Sequence, residues 1–238
     1  ISAALEILRA LANEPGAAED VEAKLALAQS MYGDVLSDAG QWEKGCRELE
    51  TAVETYLRLS LDHPDEPKYL EGLSFARIHL ASALRILGRD EKRIASLQEA
   101  IAELRLLLEI MPDVPLHREN LAVALSQLGL ALHEQENDQA AVEELDQALG
   151  EYQTLISSRD PLPRHFSGLA TACVIQADAM IDVGETEAAI DNLATAEREL
   201  RRQPANDETI APDRRHRRRQ ADLDRPTAAG LDRLAVEG

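Results

Sequence analysis

An all-α solenoid of antiparallel helix hairpins is the fold class this sequence predicts, on three observations. Aromatics make up only 3% of the 238 residues while Ala and Leu abound, a balance that favours helices over strands. Ten prolines and twelve glycines are too few for a mesh of β-turns. The third observation is a period of 48 residues, visible as unbroken columns: Leu49, Leu97, Leu145 and Leu193; Ala52, Ala100, Ala148 and Ala196; Ala28, Ala76, Ala124 and Ala172; Leu25, Leu73, Leu121 and Leu169. Pro67, Pro115 and Pro163 keep the same period, as do Gly40, Gly88 and Gly184, with Glu136 in the slot of the missing glycine. Such self-similarity is the signature of a repeat array.

The elements follow in order. Ile1 to Asn13 has the pattern of the second helix of a unit whose first helix is missing, so 1–15 reads as a half unit. Four complete units follow at 16–63, 64–111, 112–159 and 160–207. Each opens with a helix running from the proline pair to the glycine, as in Tyr69 to Leu87, where Leu70, Leu73, Ile78, Leu80, Ala81 and Leu84 share helical spacing. A second helix, Glu91 to Ile110, carries Ile94, Leu97, Ile101, Leu104 and Leu108 as one apolar stripe.

Backbone chemistry sets the joints. Gly88 suits the left-handed residue that ends a helix, and Asp90, like Asp138 and Thr186 after it, is placed to cap the next. Pro112 stops the second helix, and Pro115 opens the helix after it. One hairpin cannot hide both of its stripes, so stacking the units supplies the core. Residues 208–238 break the pattern with Pro226 and an arginine run and read as a cap or basic tail.

Within each unit a small residue is followed by glycine seven positions on, a small residue at twelve, a large apolar residue at sixteen and alanine at nineteen: Gly33, Gly40, Gly45, Leu49 and Ala52 in the first, and Ala177, Gly184, Ala189, Leu193 and Ala196 in the fourth. This spacing resembles the tetratricopeptide repeat (TPR), over about 200 of the 238 residues. The second unit departs at Arg93, where the family prefers a small residue. The period also departs from the family's usual unit of about 34 residues, and the excess lengthens each helix by roughly two turns. Long units with a PDVP-type joint resemble arrays attached to bacterial signalling proteins such as serine/threonine kinases. The resemblance implies a right-handed superhelix that binds other proteins on the concave face lined by the first helix of each unit.

Charge narrows the partners. The formal net charge is −19, but residues 201–238 contain nine Arg against seven Asp or Glu, which leaves −21 on residues 1–200. That acidic body repels phosphate backbones, which argues against nucleic acid. The run Arg214, Arg215, Arg217, Arg218 and Arg219 is the exception: a solvated tail, or the anion-binding element of a rival peptide- or nucleic-acid-sensing regulator. Cys46 and Cys173 are too few for a disulfide framework and fit a reducing compartment, so a cytoplasmic location is expected. No apolar run is long enough to span a membrane and no signal peptide is visible. The chain begins at Ile1 without methionine and reads as a piece of a larger protein. Its incomplete first unit leaves an apolar helix face, which predicts a homodimer or a neighbouring domain.

Motifs for chemistry do not assemble, and no catalytic residue, metal ligand or cofactor is expected. His133 and Glu134 begin an HExxH, but the fifth residue is Asn137. His117 belongs to a column with Tyr69 and His165, which marks it as part of the joint between units rather than as a unique catalytic group. Positions three before and one after each small residue, with one turn beyond, predict the partner-binding set Asp34, Ile78, Arg85, Leu130, His133, Val174, Asp178 and Ile181. The Lys and Asn residues of the family's carboxylate clamp are absent from these positions. The expectation is a non-enzymatic interaction scaffold for a peptide or helix, or a regulatory or oligomerisation module of a larger signalling protein.

Overall fold

The structure, a computed structural model, describes residues 2–12, 14 and 18–202. These form nine helices and no strand: α1 (Ser2–Ala12), α2 (Glu19–Asp38), α3 (Trp42–Asp62), α4 (Pro67–Ile86), α5 (Asp90–Ile110), α6 (Pro115–His133), α7 (Asp138–Ile156), α8 (Pro163–Asp182) and α9 (Thr186–Arg202). The openings Glu19, Pro67, Pro115 and Pro163, and likewise Trp42, Asp90, Asp138 and Thr186, are each 48 residues apart. Pro67, Pro115 and Pro163 sit in the first turn, where the missing N–H costs nothing.

Within each hairpin the turn is made by one residue in the left-handed region: Gly40 (φ 75°), Gly88 (φ 63°), Glu136 (φ 60°) and Gly184 (φ 87°). The next N–H closes the turn onto the helix just finished, Arg89 to Leu84 O at 3.0 Å and Asn137 to Leu132 O at 2.9 Å. This tight return starts the following helix one residue earlier than the sequence suggests. Asp90 and Asp138 are therefore the first helical residues and not caps, and no side chain caps α5 or α7. Their carboxylates face the positive end of the helix dipole instead.

Each helix packs on its chain neighbours. In addition α2 touches α4, α4 touches α6 and α6 touches α8, while α3, α5, α7 and α9 make no such contact with one another. Helices α2, α4, α6 and α8 thus form an inner row closer together than the outer row, and the repeats curve with the inner row on the concave side. The column residues are the core. Leu49, Leu97 and Leu145, Ala52, Ala100 and Ala148, and Ala76, Ala124 and Ala172 are all 0% exposed. Each buried Leu contributes about 1.5–3 kcal/mol, and alanine between them lets helices approach closely. Leu193, the fourth member of its column, is half-exposed because α9 has no following inner helix among the described residues. No described helix is long and apolar enough to cross a membrane.

The departure at Arg93 has a local explanation. Its side chain is 1% exposed and donates to the Glu134 carboxylate and, at 3.4 Å, to the Gln127 carbonyl of the next unit. A charged residue replaces the small one because a carboxylate from the following repeat reaches in to meet it.

Candidate partner-binding face

Carboxylate–imidazole contacts tie the inner helices together as rungs. Asp34 of α2 pairs with His79 of α4 at 2.9 Å, Glu71 of α4 with His117 of α6 at 2.8 Å, and Glu119 of α6 with His165 of α8 at 3.4 Å. His165 Nδ1 accepts the Leu162 N–H at 3.1 Å, so its Nε2–H donates to Glu119. His117 and His165 are 2% and 3% exposed, which gives them the joint role their column implies. Tyr69, their counterpart, faces a unit with Ala23 where Glu71 and Glu119 stand in later repeats, so the aromatic ring appears where the carboxylate is missing.

A second rung joins Arg85 to Glu134 at 2.8 Å and, one unit on, brings His133 to 4.0 Å from Asp182. Donor atoms of His133, Asp138 and Asp182 lie within 4.8 Å of one another. His133 stands in the place of Arg85 and Asp182 in that of Glu134, so this cluster is the same inter-unit contact with an imidazole in place of the guanidinium. Burial pushes the Glu134 carboxyl up, but hydrogen bonds and charge from Arg93 and Arg85 outweigh it and hold the group below the usual carboxylate range.

The predicted partner-binding set is divided by the structure. Asp34 and Leu130 are half-buried on the inner row and Asp178 is exposed there. Arg85 and His133 are engaged in the rungs. Ile78 is 6% exposed, packed among Leu97, Ile101, Leu121 and Leu125. It is a core residue, because the longer helices bring α6 directly over it. Val174 and Ile181 are 48% and 50% exposed. They occupy on α8 the positions that Ile78 and Arg85 hold on α4, and among the described residues no inner helix follows α8 to cover them. The arginines at 214, 215, 217, 218 and 219, and the cap or tail at 208–238, lie outside the described residues.

The stripe open on the inner row shares the column of Asp34, Leu130 and Asp178 with the predicted one and continues from it along the other edge of each helix. It comprises Leu27, Met31 and Asp34 on α2; Phe75, His79 and Ser82 on α4; Val123, Gln127 and Leu130 on α6; and Thr171, Ile175 and Asp178 on α8. Two hollows open along it. One, of about 280 Å³, is lined by Leu27, Tyr56, Gly72, Phe75, Leu116 and Asn120 among others. The other, of about 380 Å³, is lined by Val123, Leu130, Tyr152, Gly168, Thr171 and Ile175 among others.

The two hollows are built alike. Leu27 and Val123, Tyr56 and Tyr152, Lys68 and Arg164, Gly72 and Gly168, and Phe75 and Thr171 are each 96 residues, or two units, apart. In both, a tyrosine of an outer helix lies against a glycine of the next inner helix. A Cβ at Gly72 would fall 2.4 Å from the Tyr56 ring, and one at Gly168 2.5 Å from the Tyr152 ring. Each ring is the floor of its hollow, and burial pushes the Tyr56 hydroxyl up to about 12. Between the hollows the equivalent pair is Leu104 and Asn120, so neither the ring nor the glycine is present there. This super-repeat was present in the sequence as the spacing of two of its four tyrosines.

Groups with chemical potential elsewhere are held quiet. Burial pushes the Cys173 thiol up to about 11 and raises Cys46, with Glu50 adding to the latter, so both stay protonated and behave as packing residues. Burial pushes Glu103 up to about 7 against the guanidinium of Arg77, 2.9 Å away.

No protein-family model matches the chain, and no curated protein matches it in sequence. Its fold is found in solved structures. BtubC (BKLC) from P. vanneervenii superposes with a TM-score of 0.63 at 16% identity, over 82% of this chain and 69% of that one. A Podosopora anserina protein described as a kinesin light chain with nearly identical TPR-like repeats superposes with a TM-score of 0.53 at 17% identity, over 86% and 89%. The likeness is one of fold: an all-α, TPR-like helical repeat.

Proposed function

We propose that this chain is an interaction scaffold that holds a segment of a partner protein along the open stripe of its inner helices. The observation that carries the reading is the exposure there of Leu27 (46%), Met31 (51%) and Leu116 (54%) beside the two tyrosine-floored hollows. A folded repeat gains nothing by leaving such side chains in water, and a partner that covers them gains affinity. The sign of the chain favours a basic partner, since residues 1–200 carry −21. Buried, protonated cysteines suit the reducing interior of a cell. The TPR-like fold supports the same role, and a place beside a signalling domain fits a module that performs no chemistry itself.

The test compares affinity capture by the native chain, by a Met31→Asp/Leu116→Asp variant and by a control, Leu61→Asp, on outer helix α3, where Leu61 is 72% exposed. Proteins identified by mass spectrometry should be retained by the native chain and the control and lost by the inner-row variant. An identical set from all three refutes the reading. Ile78→Asp is not a usable probe, because a charge in that core site unfolds the array.

A further inference from the structure

We infer that the two hollows act together, taking two bulky apolar side chains of one extended, basic segment. The inference rests on the scaffold reading above and adds the form of the ligand. Its basis is the two-unit super-repeat. Tyr56 with Gly72, and Tyr152 with Gly168, build the same floor twice, whereas the unit between carries Leu104 and Asn120 and has no floor of that kind. One hollow alone would be an accident of packing at a glycine. The same tyrosine, the same glycine and the same basic rim residue, Lys68 in one and Arg164 in the other, make a site of two equivalent halves.

The geometry selects an extended occupant. Helix α6 stands between the hollows and supplies walls to both, Leu116 and Asn120 on one side, Val123 and Leu130 on the other. A rod-like helix laid across that ridge cannot lower side chains into both hollows, but an extended chain can cross it. Packed helices lie roughly 8–10 Å apart, so two steps of the inner row separate the hollows by roughly 16–20 Å. At roughly 3.3 Å per residue that is five or six residues, and only an even number puts both side chains on the same side of the strand. The anchors are therefore six apart. Asp34 and Asp178 lie on the same stripe, and with the −21 charge of residues 1–200 they favour Lys or Arg between and around the anchors.

The hollow volumes, about 280 and 380 Å³, admit Leu, Phe or Trp. Thr171 is exposed on the rim of the second hollow and Leu116 on that of the first, so each hollow can be closed from the surface without touching the core.

The probe is a phage-displayed library of random 12-residue peptides panned on the whole chain. Enriched sequences should carry two bulky apolar residues six apart with Lys or Arg among them. Fluorescence anisotropy with one enriched peptide should show Leu116→Lys and Thr171→Trp each weakening binding about tenfold or more. Removing the matching anchor from the peptide should make each substitution silent. Circular dichroism checks that both variants keep native helicity; should Thr171→Trp lose it, Thr171→Lys takes its place. Enriched peptides with a single anchor, or binding that one of the two closures leaves unchanged, overturn the two-anchor inference and leave the scaffold reading standing. Failure to enrich any peptide on the native chain over a Leu116→Lys/Thr171→Trp double variant overturns both.

Discussion

Glu136→Gly is expected to stabilise the array, which is unusual for a substitution that removes a whole side chain. Glu136 makes the turn between α6 and α7 at φ 60°, where the three sister turns use Gly40, Gly88 and Gly184. A Cβ added at any of those glycines would meet nothing within 4 Å, so the backbone alone decides the preference. Holding an L side chain in the left-handed region costs about 1–2 kcal/mol. Glycine returns that strain but loses about 0.4–1 kcal/mol through the greater freedom of the unfolded chain. The balance is a gain of about 0.5–1 kcal/mol. For a chain of this size that raises Tm by about 1–4 °C. Urea titration followed by circular dichroism should show a higher midpoint at unchanged slope, and the reverse change Gly88→Ala should lower it by a similar amount. A midpoint that falls in Glu136→Gly would mean that the glutamate side chain makes a stabilising contact, and the reasoning from φ alone would fail.

Two further outcomes follow from buried charge. Glu134→Ala leaves Arg93, 1% exposed, with Asp90 at 3.9 Å as its nearest carboxylate, and should cost about 2–3 kcal/mol, the lower side of the range for breaking a buried pair because Glu134 is partly in water. Arg85→Ala removes only the exposed partner of that glutamate and should cost about 0–1 kcal/mol; equal losses in denaturant titrations would count against the buried role of Arg93. Glu103, raised by burial from 4.5 to about 7, binds more protons folded than unfolded, so its contribution to stability is present at low pH and lost as pH rises through that window. The loss is roughly 3 kcal/mol. Glu103→Gln should flatten the stability profile between pH 4.5 and about 7, as measured by thermal melts, and an unaltered profile would show that burial does not control this group.

The positions of the prolines, glycines and alanine columns were enough to read the helix order and the hairpin joints, because those residues act through their own backbone and size. Pro115 opens a helix wherever it stands, and a left-handed turn wants glycine before any neighbour is known. Glu136 at φ 60° shows how strongly the repeat imposes its turn even on a residue that resists it. The joint role of His117 was legible for the same reason, since its column repeats.

Which inner-row side chains stay exposed was not legible to the same degree. Ile78 and Leu27 are both apolar residues of inner helices, and nothing in either residue says which is covered. That depends on how far the inner helix rotates about its axis, which is decided by contacts across units: Asp34 with His79, Glu71 with His117, Glu119 with His165. Three residues further along a helix a side chain points only about 60° from where it began, so Phe75 and Ile78 lie near one another on α4 and still differ in cover, the first half-buried and the second buried. The hollows depend on tertiary structure more fully still. Tyr56 and Gly72 belong to different units, and the missing Cβ matters only because the ring from the preceding outer helix is laid against that glycine. By itself the sequence determined a helical repeat and the residues that punctuate it, because propensity and turn chemistry are local. Only the tertiary structure decided which apolar side chains remain in water, because exposure is a property of the neighbours a residue finds.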